Sequence, residues 1–190
     1  VLQLLGLDQQ GASSTPFLIM AAVFGMGGSF ISLLMSKSMA LRTTGAQVIE
    51  KPRTELERWL VGIVADQSER AGIDKPDIAI FDSAAPNAFA TGANKNKALV
   101  AVSSGLLQKM SADEVEAVVG HEISHVANGD MVTLSLLQGV VNTFVIVFAS
   151  IIAAAIDRGN NSSRRGFGYY IGYFVAQAVL GFLASLVVMW

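Results

Sequence analysis

Three stretches of this chain carry no charged residue at all, and they restrict its folding more than anything else in it. They are Phe17–Met35, Met131–Ile156 and Gly166–Trp190. Each approaches or exceeds the ~20 apolar residues that span a bilayer as a helix. For the first, a buried soluble helix is the alternative, which its length disfavours. Gly25, Gly27, Gly28, Ser29 and Ser32 are small residues of the kind that let membrane helices approach closely. Aromatics gather at Phe167, Tyr169, Tyr170, Tyr173 and Phe174, with Trp190 at the far end, as interfacial belts do.

The composition agrees. The chain is 52% hydrophobic and 15% charged, against roughly 25% charged for a soluble domain. Its mean hydropathy is +0.51. A net charge of −2 gives no case for nucleic acid as a partner. Without cysteine there is no disulfide frame and no thiolate metal site. All 13 Lys and Arg residues except Arg158, Arg164 and Arg165 lie between Lys37 and Lys109. The positive-inside rule then places residues 36–130 in the cytoplasm and 1–16 outside it. The expected order is an extracytoplasmic segment 1–16, a membrane helix 17–35, a cytoplasmic domain 36–130, a membrane helix 131–156, a loop 157–166 and a membrane helix 167–190. The three loop arginines conflict with an outside position, so the last two helices form a hairpin that need not cross fully. The chain starts at Val1 and shows no basic region of a signal peptide, so it reads as a fragment.

Within 36–130 the pattern is α+β. Leu56, Trp59, Leu60, Ile63 and Val64 follow a helical spacing over Thr54–Ala71, which Gly72 can end. Asp77–Phe81 reads as a strand. Asn87–Thr91 and Ala98–Val102 read as a hairpin about the turn Gly92–Lys97. Ser111 and Glu114 form a capping box opening a helix that Gly129 can close, with Val115, Val118, Val119, Ile123 and Val126 as its apolar stripe. Mid-helix Gly120 suggests close approach by another element.

That last helix carries His121-Glu122-Ile123-Ser124-His125, and these are the chain's only 2 histidines. At i and i+4 the two imidazoles share a face and can bind one tetrahedral Zn²⁺. Glu122, about 100° round the helix, can act on a water at the metal without ligating it. In this reading His121 and His125 are ligands and Glu122 is the general base. Asp130 orients a ligand histidine, or is simply a polar residue before the membrane. A hydrogen-bonded structural His pair, in a non-enzymatic membrane scaffold or chaperone-like protein, is the competing reading.

Taken together, Asn87-Ala88-Phe89-Ala90-Thr91-Gly92, Ala101-Val102-Ser103-Ser104-Gly105-Leu106-Leu107, Gly120–Asp130 and Met35-Ser36-Lys37 resemble the HtpX family. These are heat-shock-linked bacterial membrane zinc metalloproteases related to the CAAX prenyl endopeptidases. The likeness runs from about Phe17 to Trp190. It implies a multi-pass inner-membrane zinc endopeptidase with a cytoplasmic catalytic domain, acting on misfolded or damaged membrane proteins. It implies a gluzincin-type half-domain (helix, small sheet with hairpin, HExxH helix) joined to transmembrane helices. It also implies a third ligand, a Glu beyond Trp190, on a helix expected to pack at Gly120. Asn87–Ala90 resembles the edge-strand motif of thermolysin-like enzymes, which makes Asn87 and Ala88 candidate substrate contacts. A CAAX prenyl protease is a second enzymatic reading, against which three apparent spans count. Asn142 and Gln177, matched in depth, are expected to pair across the membrane hairpin.

Overall fold

The computed structural model describes residues 15–157 and 167–189. Most of the expected outer segment 1–16 and loop 157–166 lies outside the described residues, as does Trp190. The chain divides into two compact units, one of Val1–Ile31 with Leu134–Trp190 and one of Ser32–Thr133.

Three of the described helices, all running through the first unit, are long and apolar enough to cross a membrane. They are α1 (Thr15–Thr44), α5 (Asp130–Asp157) and α6 (Phe167–Met189). Large apolar side chains such as Phe24, Phe30, Phe144, Phe148, Phe174 and Phe182 face outward, which a water-soluble unit would not tolerate on this scale. The first helix outruns its apolar stretch: its 30 residues make about 45 Å, more than a hydrocarbon core of about 30 Å. Glycines set the packing of this unit. A Cβ on Gly25 would stand 2.6 Å from the Thr143 backbone nitrogen, and one on Gly139 would stand 3.1 Å from Met26 Cα. Backbones that close bring Asn142 within reach of α1. Its Nδ2 donates to Ser29 Oγ at 3.3 Å, while its Oδ1 accepts from Gln138 Nε2 at 2.8 Å. The expected Asn142–Gln177 pair is therefore replaced. Matching depth was insufficient, because the small residues of α1 make it the nearer polar neighbour.

The second unit is built on a four-stranded sheet in the order β1-β2-β4-β3. Its strands are β1 (Gln47–Val48), β2 (Asp77–Phe81), β3 (Ala88–Thr91) and β4 (Leu99–Ser103). The outer pairs are antiparallel and the central pair β2–β4 is parallel. Its helices are α2 (Glu55–Ala71), α3 (Ser104–Lys109) and α4 (Ala112–Asn128). Period-two alternation splits the core by face. Ile78, Val100 and Val102 meet Leu60 and Val64 of α2 and Val115, Val119 and Ile123 of α4. Ala79, Phe81, Leu99 and Ala101 meet Phe89, Ala46 and Leu41, the last from the final turns of α1. Lys37 of α1 forms an ion pair with Asp77 at the start of β2.

Both long helices of this unit start and stop on local chemistry. Thr54 with Glu57 and Ser111 with Glu114 form reciprocal capping boxes, and Gly72 and Gly129 close the helices in the left-handed region.

Candidate metal centre

The two histidines lie on α4, on the side away from its buried residues Val115, Val119, Ile123 and Val126. His121 is exposed and the His125 side chain keeps 44% of its surface, so the pair is not sealed in the core. The rings meet edge to face with centroids 4.5 Å apart, and the two Nε2 atoms converge to 3.0 Å. Two nitrogens on one tetrahedral zinc, each at 2.0–2.1 Å, are separated by roughly 3.3 Å. The pair is thus within a few tenths of an ångström of a shared-ion spacing.

Behind His125, its Nδ1 lies 2.6 Å from Asp130 Oδ2. A carboxylate can only accept, so Nδ1 donates to Asp130 and Nε2 is the nitrogen turned towards His121. Gly129 makes this contact possible. With φ at 74° it ends α4, returns its N–H to the carbonyls of His125 and Val126, and lets Asp130 open α5 within reach of the ring. This is the donor set zinc prefers, imidazole nitrogen backed by a carboxylate. Among the described residues no group of three or more His, Cys, Asp or Glu is arranged to hold a metal ion. Glu122, half-buried, follows the first histidine on the same helix.

Among the described residues, the close approach at Gly120 is made by α2. Gln67 Nε2 would stand 3.3 Å from a Cβ there, and it donates to Glu116 O at 2.9 Å. Sequence reasoning missed Gln67, whose only signal is a polar residue on the inner side of an amphipathic helix.

Beside α4 runs β3, which packs against it and is one of the sheet's two outer strands. Ser103 N donates to Asn87 O at 2.9 Å, so the hydrogen-bonded rungs of the antiparallel ladder fall at Asn87, Phe89 and Thr91. By alternation the backbone N–H and C=O of Ala88 and Ala90 point to the unpaired edge, while their side chains join the core shared with α4. Asn87 is exposed at the start of the strand, and Phe89 packs on the opposite face, 5.6 Å from the Phe81 ring. His121, His125 and Asp130 thus form one cluster, and Asn87 and Ala88 lie on the open strand that packs against its helix. Ser103, which had no role assigned from the sequence, ties the strand down through its hydroxyl. Its one signal is a serine standing where a strand gives way to a helix.

Residues 54–189 match the sequence profile of Peptidase family M48. The chain is 58% identical over 193 residues to Protease HtpX of Xanthomonas campestris pv. campestris (strain B100), with all of the chain and 65% of that protein aligned. Protease HtpX of Xanthomonas oryzae pv. oryzae (strain MAFF 311018) is likewise 58% identical with the same coverage. The chain spans 65% of the length of these curated relatives. Among solved structures, the crystal structure of S. mikatae Ste24p superposes with a TM-score of 0.65 over 89% of this chain and 42% of that one. At 19% identity this likeness concerns the fold alone.

Proposed function

Because the chain belongs to peptidase family M48, we propose that it carries the catalytic centre of a membrane-bound zinc endopeptidase of the gluzincin type. One observation carries this reading: two imidazole Nε2 atoms converge to 3.0 Å beside an open edge strand, with Asp130 fixing the tautomer of one of them.

His121 and His125 would hold the ion, their Nε2 atoms already turned towards each other. Zinc there would supply Lewis acidity to the scissile carbonyl and to the attacking water. A glutamate beyond Trp190 would be the third ligand, as the resemblance implies. Asp130 keeps the proton on His125 Nδ1 and holds the ring in place. Glu122 takes the proton of the attacking water and returns it to the leaving amine. The extended substrate pairs with the free edge of β3 through Ala88, with Asn87 flanking it.

The substrates are polypeptides, and misfolded or damaged membrane proteins suit an enzyme whose chain includes three bilayer-length helices. The concentration of Lys and Arg between Lys37 and Lys109 supports a cytoplasmic catalytic domain in a bacterial inner membrane.

Glu122→Gln in the intact protein tests the assignment. It removes the proton shuttle and no ligand, so zinc content should stay at the wild-type level while cleavage of casein falls by orders of magnitude. Retained cleavage would end the general-base assignment. Wild-type protein that binds no zinc and cleaves nothing would favour the scaffold reading.

A further inference from the structure

We propose that the Ser103 hydroxyl is a positioning residue for substrate binding: it locks Asn87, the residue that leads into the edge strand β3, so that Ala88 presents its backbone at a fixed height. This rests on the reading that substrate pairs with that edge.

The topology makes such a lock necessary. β3 follows β2 in sequence but lies on the far side of β4, so the connection Asp82–Asn87 must pass the end of β4 before β3 can begin. Ser103 is the last residue of β4 and also the N-cap of α3. An N-cap commits its carbonyl to the first turn of its helix. In a regular antiparallel ladder that carbonyl would accept from Asn87 N–H, completing the rung opposite Ser103. Here the side chain takes over. Asn87 N donates to Ser103 Oγ at 2.9 Å, while Ser103 N donates to Asn87 O at 2.9 Å. One residue therefore holds both backbone groups at the entrance to β3.

A hydroxyl has one proton to give and two lone pairs. Ser103 uses all three. It donates to Ala85 O at 2.9 Å and accepts from Leu106 N at 3.0 Å as well as from Asn87 N. The residue has no exposed surface, so water cannot substitute at Oγ. The rest of the connection is strapped to the same helix start. Ser83 N donates to Ser104 Oγ at 3.1 Å, Gly105 N donates to Ser83 O at 2.8 Å, and Lys109 Nζ donates to Ala84 O at 2.6 Å. A Cβ on Gly105 would lie 2.5 Å from Ala84 O, so the strap lies directly on the α3 backbone. Asn87 is fixed from both sides, and the adjacent Ala88 is the first residue whose backbone faces the open edge.

The test uses the intact protein in lipid nanodiscs and an internally quenched peptide that the wild type cleaves. Pairing along β3 is made equally in ground and transition states, so its loss appears in KM and not in kcat. Ser103→Ala should raise KM about tenfold, with kcat changed by no more than about twofold. Ser68→Ala removes another buried hydroxyl, bonded only to Val64 O within α2, and should leave KM unchanged. An ester scan of the peptide separates this proposal from the reading it rests on. One ester, replacing the N–H that meets Ala88 O, should raise KM for the wild type and add little in Ser103→Ala, since both remove one coupled contact. An ester scan without effect on the wild type would remove the docking reading, and this proposal with it. A costly ester beside a wild-type KM in Ser103→Ala would overturn the proposal alone. If Ser103→Ala does not fold, Asn87→Pro deletes the N–H that Ser103 accepts, at a strand start where proline is tolerated, and Asn87→Ala, which keeps that N–H, accounts for the lost side chain. Asn87→Pro should raise KM about tenfold beyond Asn87→Ala, and equal KM values in the two would equally overturn the proposal.

Discussion

Asp130→Ala separates a ligand-orienting carboxylate from a helix-opening one. The contact is short, 2.6 Å from His125 Nδ1 to Oδ2, and the two side chains keep 44% and 40% of their surface. A hydrogen bond to a charged group is worth about 1.5–3 kcal/mol when shielded, and exposure of this degree cuts that to about 1–2 kcal/mol. Without the carboxylate, His125 loses both the group that selects its tautomer and the group that holds its ring towards His121. Zinc affinity should therefore fall roughly 10- to 30-fold, within the 10- to 100-fold span typical of such outer partners. Asp130 is also the first residue of α5, where an acidic side chain adds about 0.3–1 kcal/mol to helix stability. That share moves the unfolding midpoint and leaves the metal titration untouched. The assay is competition for zinc against a chromophoric chelator, with peptide cleavage read in parallel. Cleavage should drop at limiting zinc and recover when zinc is raised. Asp130→Asn should fall between, because its carbonyl oxygen can still accept from Nδ1–H. Wild-type zinc affinity in Asp130→Ala would refute the reasoning.

Three more perturbations have defined outcomes. The backbone N–H and hydroxyl of Ser111 hold the Glu114 carboxyl below the usual glutamate value. A depressed folded-state value means the cap contributes fully above about pH 4.5 and is lost as pH falls through the lowered value. The thermal midpoint of the wild type should accordingly decline more steeply from pH 5 to 3 than that of Glu114→Gln, which keeps the cap without the titration; parallel profiles would contradict this. Gly25→Val should loosen α1 from α5 by about 1–3 kcal/mol, since even a Cβ would overlap Thr143 Oγ1, and an SDS unfolding titration reads the change. The 190-residue chain by itself should hold zinc only weakly, since its described residues offer no group of three ligands. Stoichiometric binding at sub-micromolar free metal would show that a third ligand lies within it.

Elements specified by their own residues were readable. The strand Asp77–Phe81 has the ends that its alternation marked, and α4 opens at the Ser111–Glu114 box and closes at Gly129 as those residues indicate. The hairpin of β3 and β4 follows from its turn. What escaped depends on distant partners. The parallel pairing of β2 with β4 needs a connection that skips a strand, and nothing local in Asp82–Asn87 announces it. The strand β1 has two residues and exists only because β2 offers an edge. The helix α1 continues to Thr44 past the end of its apolar stretch, because Leu41 finds a place under Ala79 and Phe81 and Lys37 finds Asp77.

The candidate centre divides along the same line. His121, Glu122 and His125 need only a helix, so their spacing was enough to bring them together. The role of Asp130 needs one further item, the left-handed turn at Gly129, and that too was written locally as a glycine after the last apolar residue. The proposed substrate edge is different. Asn87 and Ala88 could be named from their likeness to a known motif, but their use depends on which strand lies outermost and which backbone groups point outward. Both are decided where Ser103 ends one strand, begins a helix and holds a third element by its hydroxyl. A residue with three simultaneous long-range duties leaves almost no periodic trace. Local pattern could therefore locate the proposed metal chemistry, whereas the edge proposed to receive a substrate emerged only from the assembled sheet.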